Sequence, residues 1–198
     1  MNIRRYTEVR FILLIIILLN SGCSSSDEEP VAPERPETIE TEIQVEGMTE
    51  LIPARLLESP EEFPLYFSTY YPLDMQVDTL TSEEGAGFKT IAAFAGRLNE
   101  EAQITVFVFH DSITEERADE IIRSYGGNTV DEQHRYNWSV TEYHLLGEQT
   151  GFLALGKHDE NWFYIHYSYP PEYGDGMGPR IHLIMDEWRW RDGSSLSA

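Results

Sequence analysis

Residues 162–188, WFYIHYSYPPEYGDGMGPRIHLIMDEW, constrain the fold more than any other stretch of the chain. From Trp162 to Tyr169 almost every side chain is aromatic or β-branched, which is the composition of a strand covered on both faces and therefore placed inside a sheet. Pro170 and Pro171 end that ladder, because proline has no N–H to donate. Gly174, Gly176 and Gly178 then supply backbone freedom for a tight reversal ahead of Pro179. Pro179 suits the first turn of a helix, and Ile181, Ile184, Met185 and Trp188 follow at offsets 0, 3, 4 and 7 as one apolar stripe. The expectation is a central strand, a glycine turn, and a helix laid stripe-down on the sheet.

The other constraint lies at the start. Arg4, Arg5 and Arg10 precede the apolar run FILLIIILL at residues 11–19, which is too short to span a bilayer but has the layout of a signal peptide. The ending Asn20-Ser21-Gly22-Cys23 resembles the lipobox of bacterial lipoproteins, with Asn20 departing from the leucine usual there. That resemblance implies removal of residues 1–22, lipidation of Cys23 as the new N-terminus, and an extracytoplasmic protein anchored in a bacterial membrane. Cys23 is the only cysteine, so no internal disulfide is available to it. Residues 23–38 are rich in Ser, Pro and acids and read as a lipidated, disordered tether. Residues 39–198 then form a single domain, a size that supports one core. Loss of Arg4, Arg5, Arg10 and Glu8 with the leader leaves 11 basic and 34 acidic residues out of 14 and 35, a net charge of 23 negative. Phosphate contacts are made by Lys and Arg, so nucleic acid is excluded as a partner.

Within the domain, Ile43 and Val45 alternate with polar residues, and residues 51–57 form a second arm that Pro53 assigns to an edge or bulge. The run LYFSTYYPLDMQVDTL, residues 65–80, reads as a β-hairpin turning at Pro72-Leu73-Asp74. Residues 88–95 and 104–109 are further strands, the second (ITVFVF) buried on both faces. Ser112 with Glu115 makes a capping box, and Ala118, Ile121, Ile122 and Tyr125 give a helical stripe closed by Gly126-Gly127. Residues 138–146, 152–155 and the Trp162 strand then form an antiparallel meander.

This order of a hairpin around STYYPLDMQV, further strands, a helix, a three-strand meander and a closing helix after Tyr-Pro resembles the PsbP-like family over residues 63–191. The resemblance implies an α+β fold, an antiparallel β-sheet with helices packed on its faces in a PsbP-like sandwich. It carries over no functional residue.

The six histidines, at 110, 134, 144, 158, 166 and 182, show no ligand spacing, so no metal site is assigned. If any meet, His166 on the central strand and His182 on the last helix are the pair. Ser112 is a helix cap rather than a nucleophile, and no G-x-S-x-G motif occurs. The loop EYGDGMG, residues 172–178, is the candidate ligand loop, with Glu172 and Asp175 as its polar groups. The resulting expectation is a binding or accessory protein with no catalytic residues and no cofactor. Its partners are the membrane, through lipid on Cys23, and an extracytoplasmic protein. The alternative is an extracytoplasmic hydrolase or metal-dependent enzyme whose site assembles from distant histidines and acids.

Overall fold

The computed structural model describes residues 34–125, 135–146 and 149–196. The leader, Cys23, Gly126-Gly127, His134 and the Gly147 turn therefore lie outside the described residues. Among the described residues, ten strands and two α-helices follow in the order β1 (Thr38–Val45), β2 (Met48–Glu58), β3 (Phe67–Pro72), β4 (Met75–Thr81), β5 (Gly85–Ala92), β6 (Asn99–Phe109), α1 (Glu115–Ser124), β7 (Ser139–Leu146), β8 (Thr150–His158), β9 (Asn161–Tyr169), α2 (Gly174–Asp186) and β10 (Arg189–Trp190).

The strands form two antiparallel sheets, ordered β1-β2-β3-β10 and β4-β5-β6-β9-β8-β7. This corrects the expected α+β arrangement of one sheet faced by helices: the protein is mostly antiparallel β and sandwich-like, and a second sheet stands where a helical layer was expected. The reason lies at residues 72–75. Although β3 and β4 are joined by a short turn, they do not pair; β3 pairs with β2 and β10, and β4 with β5. The stretch read as a hairpin is a crossing from one sheet to the other. Phe67, Ser68, Thr69 and Tyr70 of β3 are all buried, a demand met only by cover on both faces, whereas β4 is half exposed as an edge strand. The likeness to PsbP-like domains rested in part on that hairpin, and otherwise on the order of elements.

Other expectations hold. The strand β9 lies between β6 and β8, and its residues from Phe163 to Ser168 are buried. In β6, Ile104 to Phe109 are buried without interruption. Strands β7, β8 and β9 make the meander. The hairpin β1-β2 turns at Glu46 (φ 51°) and Gly47 (φ 78°), both in the left-handed region that two-residue hairpin turns require. The reading of residues 51–57 as an edge or bulge is corrected: β2 lies between β1 and β3 with no register shift, and Pro53 is accommodated because β3 begins to pair with β2 only at Ala54, while Leu73 N–H donates to the Pro53 carbonyl.

One face of the six-stranded sheet, with Ile104, Val106, Val108, Ile165 and Phe152, packs against Phe67 of the second sheet and Ile181 and Ile184 of α2. Its other face presents Phe107, Phe109, Leu153, Leu155 and Tyr164 to Ile121 of α1. The α1 cap is Thr114, whose Oγ1 accepts from Arg117 N–H, while Ser112 donates instead to the Glu160 carbonyl.

Candidate functional site

The glycine-rich stretch expected to be a turn is the first part of α2, with Pro179 in its second turn. Three glycines and a proline disfavour a helix by propensity, and Pro179 removes the bond to the Asp175 carbonyl. Tertiary contacts override that preference. Arg180 is buried, donates from Nη1 to the Gly176 carbonyl at 2.7 Å, donates from Nε to both Asp74 carboxylate oxygens at 3.1 Å, and lies over the Phe94 ring at 4.2 Å. A Cβ on Gly176 would come within 3.0 Å of Phe94, so the glycine is what admits this close approach. One arginine thus fixes the start of α2 to the corner where the chain changes sheets.

Fixed in this way, α2 runs beside β1, and between them lies an open cleft of about 670 Å³. Gly174 and Asp175, Gly178 and Pro179, His182 and Leu183, Asp186 and Glu187 recur every four residues, so a single stripe of the helix forms one wall. Glu42, Gln44 and Glu46 stand on the other. The site is strongly acidic. Among the described residues only Glu187 of its five carboxylates has an ion-pair partner, Arg35 at 2.8 Å. Asp175, one of the two expected ligand groups, lines this cleft; Glu172, the other, is exposed on a 3-10 turn (Pro171–Tyr173) and does not.

A second cleft, of about 500 Å³, lies against β2 and β3 and is lined by Arg35, Glu58, Tyr66, Ser68 and Arg189. Its polar groups serve one another. Arg35 donates to Ser68 Oγ and Glu187, and Tyr66 donates to Glu58 at 2.7 Å. Burial, followed by that bond to Glu58, raises the Tyr66 hydroxyl above its ordinary pKa. This cleft has fewer free groups to offer a ligand than the first.

The histidines do not converge. His182 is exposed in the acidic cleft, on the side of the six-stranded sheet that α2 covers. His166 lies on the opposite face, with Tyr164, stacked at 4.2 Å on Tyr125, the residue that follows α1. The expected pair is therefore separated by the sheet itself: successive side chains of a strand point to opposite faces, and His166 points away from the face that α2 covers. His158 stacks on Trp190 at 4.1 Å, His144 meets Phe152 edge to face, and His110 is exposed. Among the described residues no three His, Cys, Asp or Glu side chains are placed to hold a metal ion.

His166 is nonetheless the most perturbed of them. It is 4 % exposed, its Nδ1 has no hydrogen-bond partner, and burial, aided by the Lys89 charge, lowers its pKa to about 4. Beside it the Tyr164 hydroxyl, 3.0 Å from that of Tyr125, is pushed well above its ordinary value by burial. His166 is a neutral packing group under α1.

The free edge of β1 and the Arg180 anchor were not visible in the sequence. Glu46-Gly47 was the one local signal, a turn that places an acid in the lining of the cleft. No helix among the described residues is long and apolar enough to cross a membrane. No protein-family model matches the chain, and no curated protein matches it at a significant level.

Proposed function

We propose that the chain is a lipid-anchored, extracytoplasmic binding or accessory protein whose ligand occupies the cleft between α2 and β1. The anchor reading is supported by Ser21-Gly22-Cys23 after a short apolar core. The observation that carries the ligand site is the cleft itself. Its volume is that of an ordinary ligand pocket, its walls come from two separate elements, and Glu42, Glu46, Asp175 and Asp186 bring negative charge into it with no lysine or arginine among the described residues that line it. A ligand with positive charge is the complement.

The test is titration of the full chain, held in detergent micelles, with spermine and with an oligolysine peptide, an oligoglutamate peptide serving as control. The cations should bind, and the pair Asp175→Asn with Asp186→Asn should weaken them about tenfold, while added salt weakens them further. Binding that ignores both substitutions would remove the cleft as the site.

A further inference from the structure

The cleft has a strand edge along one wall. Leu56 N–H donates to the Glu37 carbonyl, which makes residues 37 and 56 a hydrogen-bonded pair of the β1-β2 ladder. Such pairs alternate along an antiparallel ladder, so Ile39, Thr41, Ile43 and Val45 turn their backbone groups toward β2. The N–H and C=O groups of Glu40, Glu42 and Gln44 point the other way. The sheet ends at β1, and among the described residues no strand pairs with that side. Two of these three residues, Glu42 and Gln44, line the cleft.

The opposite wall is a helix stripe of matching length. The 13 residues of α2 rise about 20 Å, the span of roughly six residues of extended chain. An extended segment laid in the cleft would find unpaired backbone donors and acceptors on one side. On the other it would meet His182 and the small residues Gly174, Gly178 and Pro179, which leave room for its side chains. The main chain would supply affinity through ladder bonds, and alternate side chains would supply selectivity.

Charge determines which segment fits. Glu40 and Glu42 project from β1, and Glu46, Asp175 and Asp186 stand around the cleft, so a second copy of this acidic chain would be repelled. Resting on the reading that the cleft is the ligand site, we infer that its ligand is an extended, lysine- or arginine-bearing polypeptide segment, which adds as a strand to the free edge of β1 beneath α2.

The experiment compares three probes on the full chain in detergent. One is an eight-residue acetylated peptide alternating lysine with threonine and valine; the second is the same peptide N-methylated on alternate residues, with equal charge but blocked donors; the third is spermine. The first should bind about tenfold tighter than either of the others. It should also slow hydrogen exchange at the amides of Glu42 and Gln44. Gln44→Pro, which removes one outward N–H without touching the pairing to β2 or any charge, should cost about the same factor. Equal binding of the methylated peptide, still weakened by Asp175→Asn with Asp186→Asn, would overturn strand addition and leave the acidic cleft standing as the site. Failure of every cationic probe, or binding indifferent to those two substitutions, would overturn both. The probe comparison is made on the unaltered protein, so it holds even if Gln44→Pro fails to fold.

Discussion

The indole of Trp188 lies nearly parallel to the ring of Phe67, with centroids 4.1 Å apart and an angle of 14°. Trp188 follows the end of α2 and Phe67 begins β3, so this stack ties the closing helix to the sheet that crosses over the core. Neither residue is exposed to solvent.

Trp188→Ala is accordingly expected to cost about 3–5 kcal/mol, the range for truncating a large aromatic in a packed core. Asp175→Asn, at an exposed position, should change stability by about 0.5 kcal/mol or less. Chemical denaturation of the two variants decides the matter. A stable Trp188→Ala beside an unfolded Asp175→Asn would show that the acidic wall, not the stack, holds α2 in place.

His166 gives stability a dependence on pH. Its folded pKa, about 4, lies below the unfolded value near 6.5, so the neutral ring favours the native state. That contribution is complete above pH 6.5 and is lost as pH falls toward 4, by roughly 3 kcal/mol in all. His166→Phe removes the titration. The stability difference between wild type and this variant, measured at pH 7 and pH 4.5, should shift against the wild type at the lower pH; a constant difference would show that His166 is charged or solvated in the native state.

Among the described residues, contacts with the domain begin at Arg35, ahead of the start expected at residue 39. Besides the pair with Glu187, Arg35 lies 4.4 Å over the Tyr70 ring, and the Tyr70 hydroxyl donates to the Pro36 carbonyl at 2.7 Å. A chain starting at residue 40 should lose roughly 2 kcal/mol, lowering its melting temperature by about 4–8 °C, whereas one starting at 34 keeps these contacts. Equal melting of the two would mean that the segment is bound without contributing stability.

Cys23→Ser tests the proposed anchor. Lipid chains give about 0.8 kcal/mol per buried CH₂, and two signals are needed for stable attachment. The variant should leave the membrane fraction or accumulate unprocessed. A fully matured variant still recovered with membranes would reject lipidation as the means of attachment.

Local chemistry determined a good deal of this protein. Unbroken runs of β-branched and aromatic residues marked β6 and β9 as buried strands, turn residues spaced the β7-β8-β9 meander, and a helical apolar period located α1, because each of these signals is carried by neighbours in the chain. The Ser21-Gly22-Cys23 ending, and with it the expected anchor, is likewise a sequence property. What the sequence left open was every choice between distant partners. Pro72-Leu73-Asp74 is as good a turn for a hairpin as for a step between sheets, and only the burial of β3 on both faces separates it from β4. The glycines at 174, 176 and 178 favour a turn until Arg180 meets Asp74, more than a hundred residues earlier, and Phe94. Asp175 was legible as a polar group worth attention, but the cleft it lines was not. That cleft exists because α2 is pinned alongside an edge of β1 that no other described strand completes, and a free edge is a relation between elements, absent from the local residue pattern.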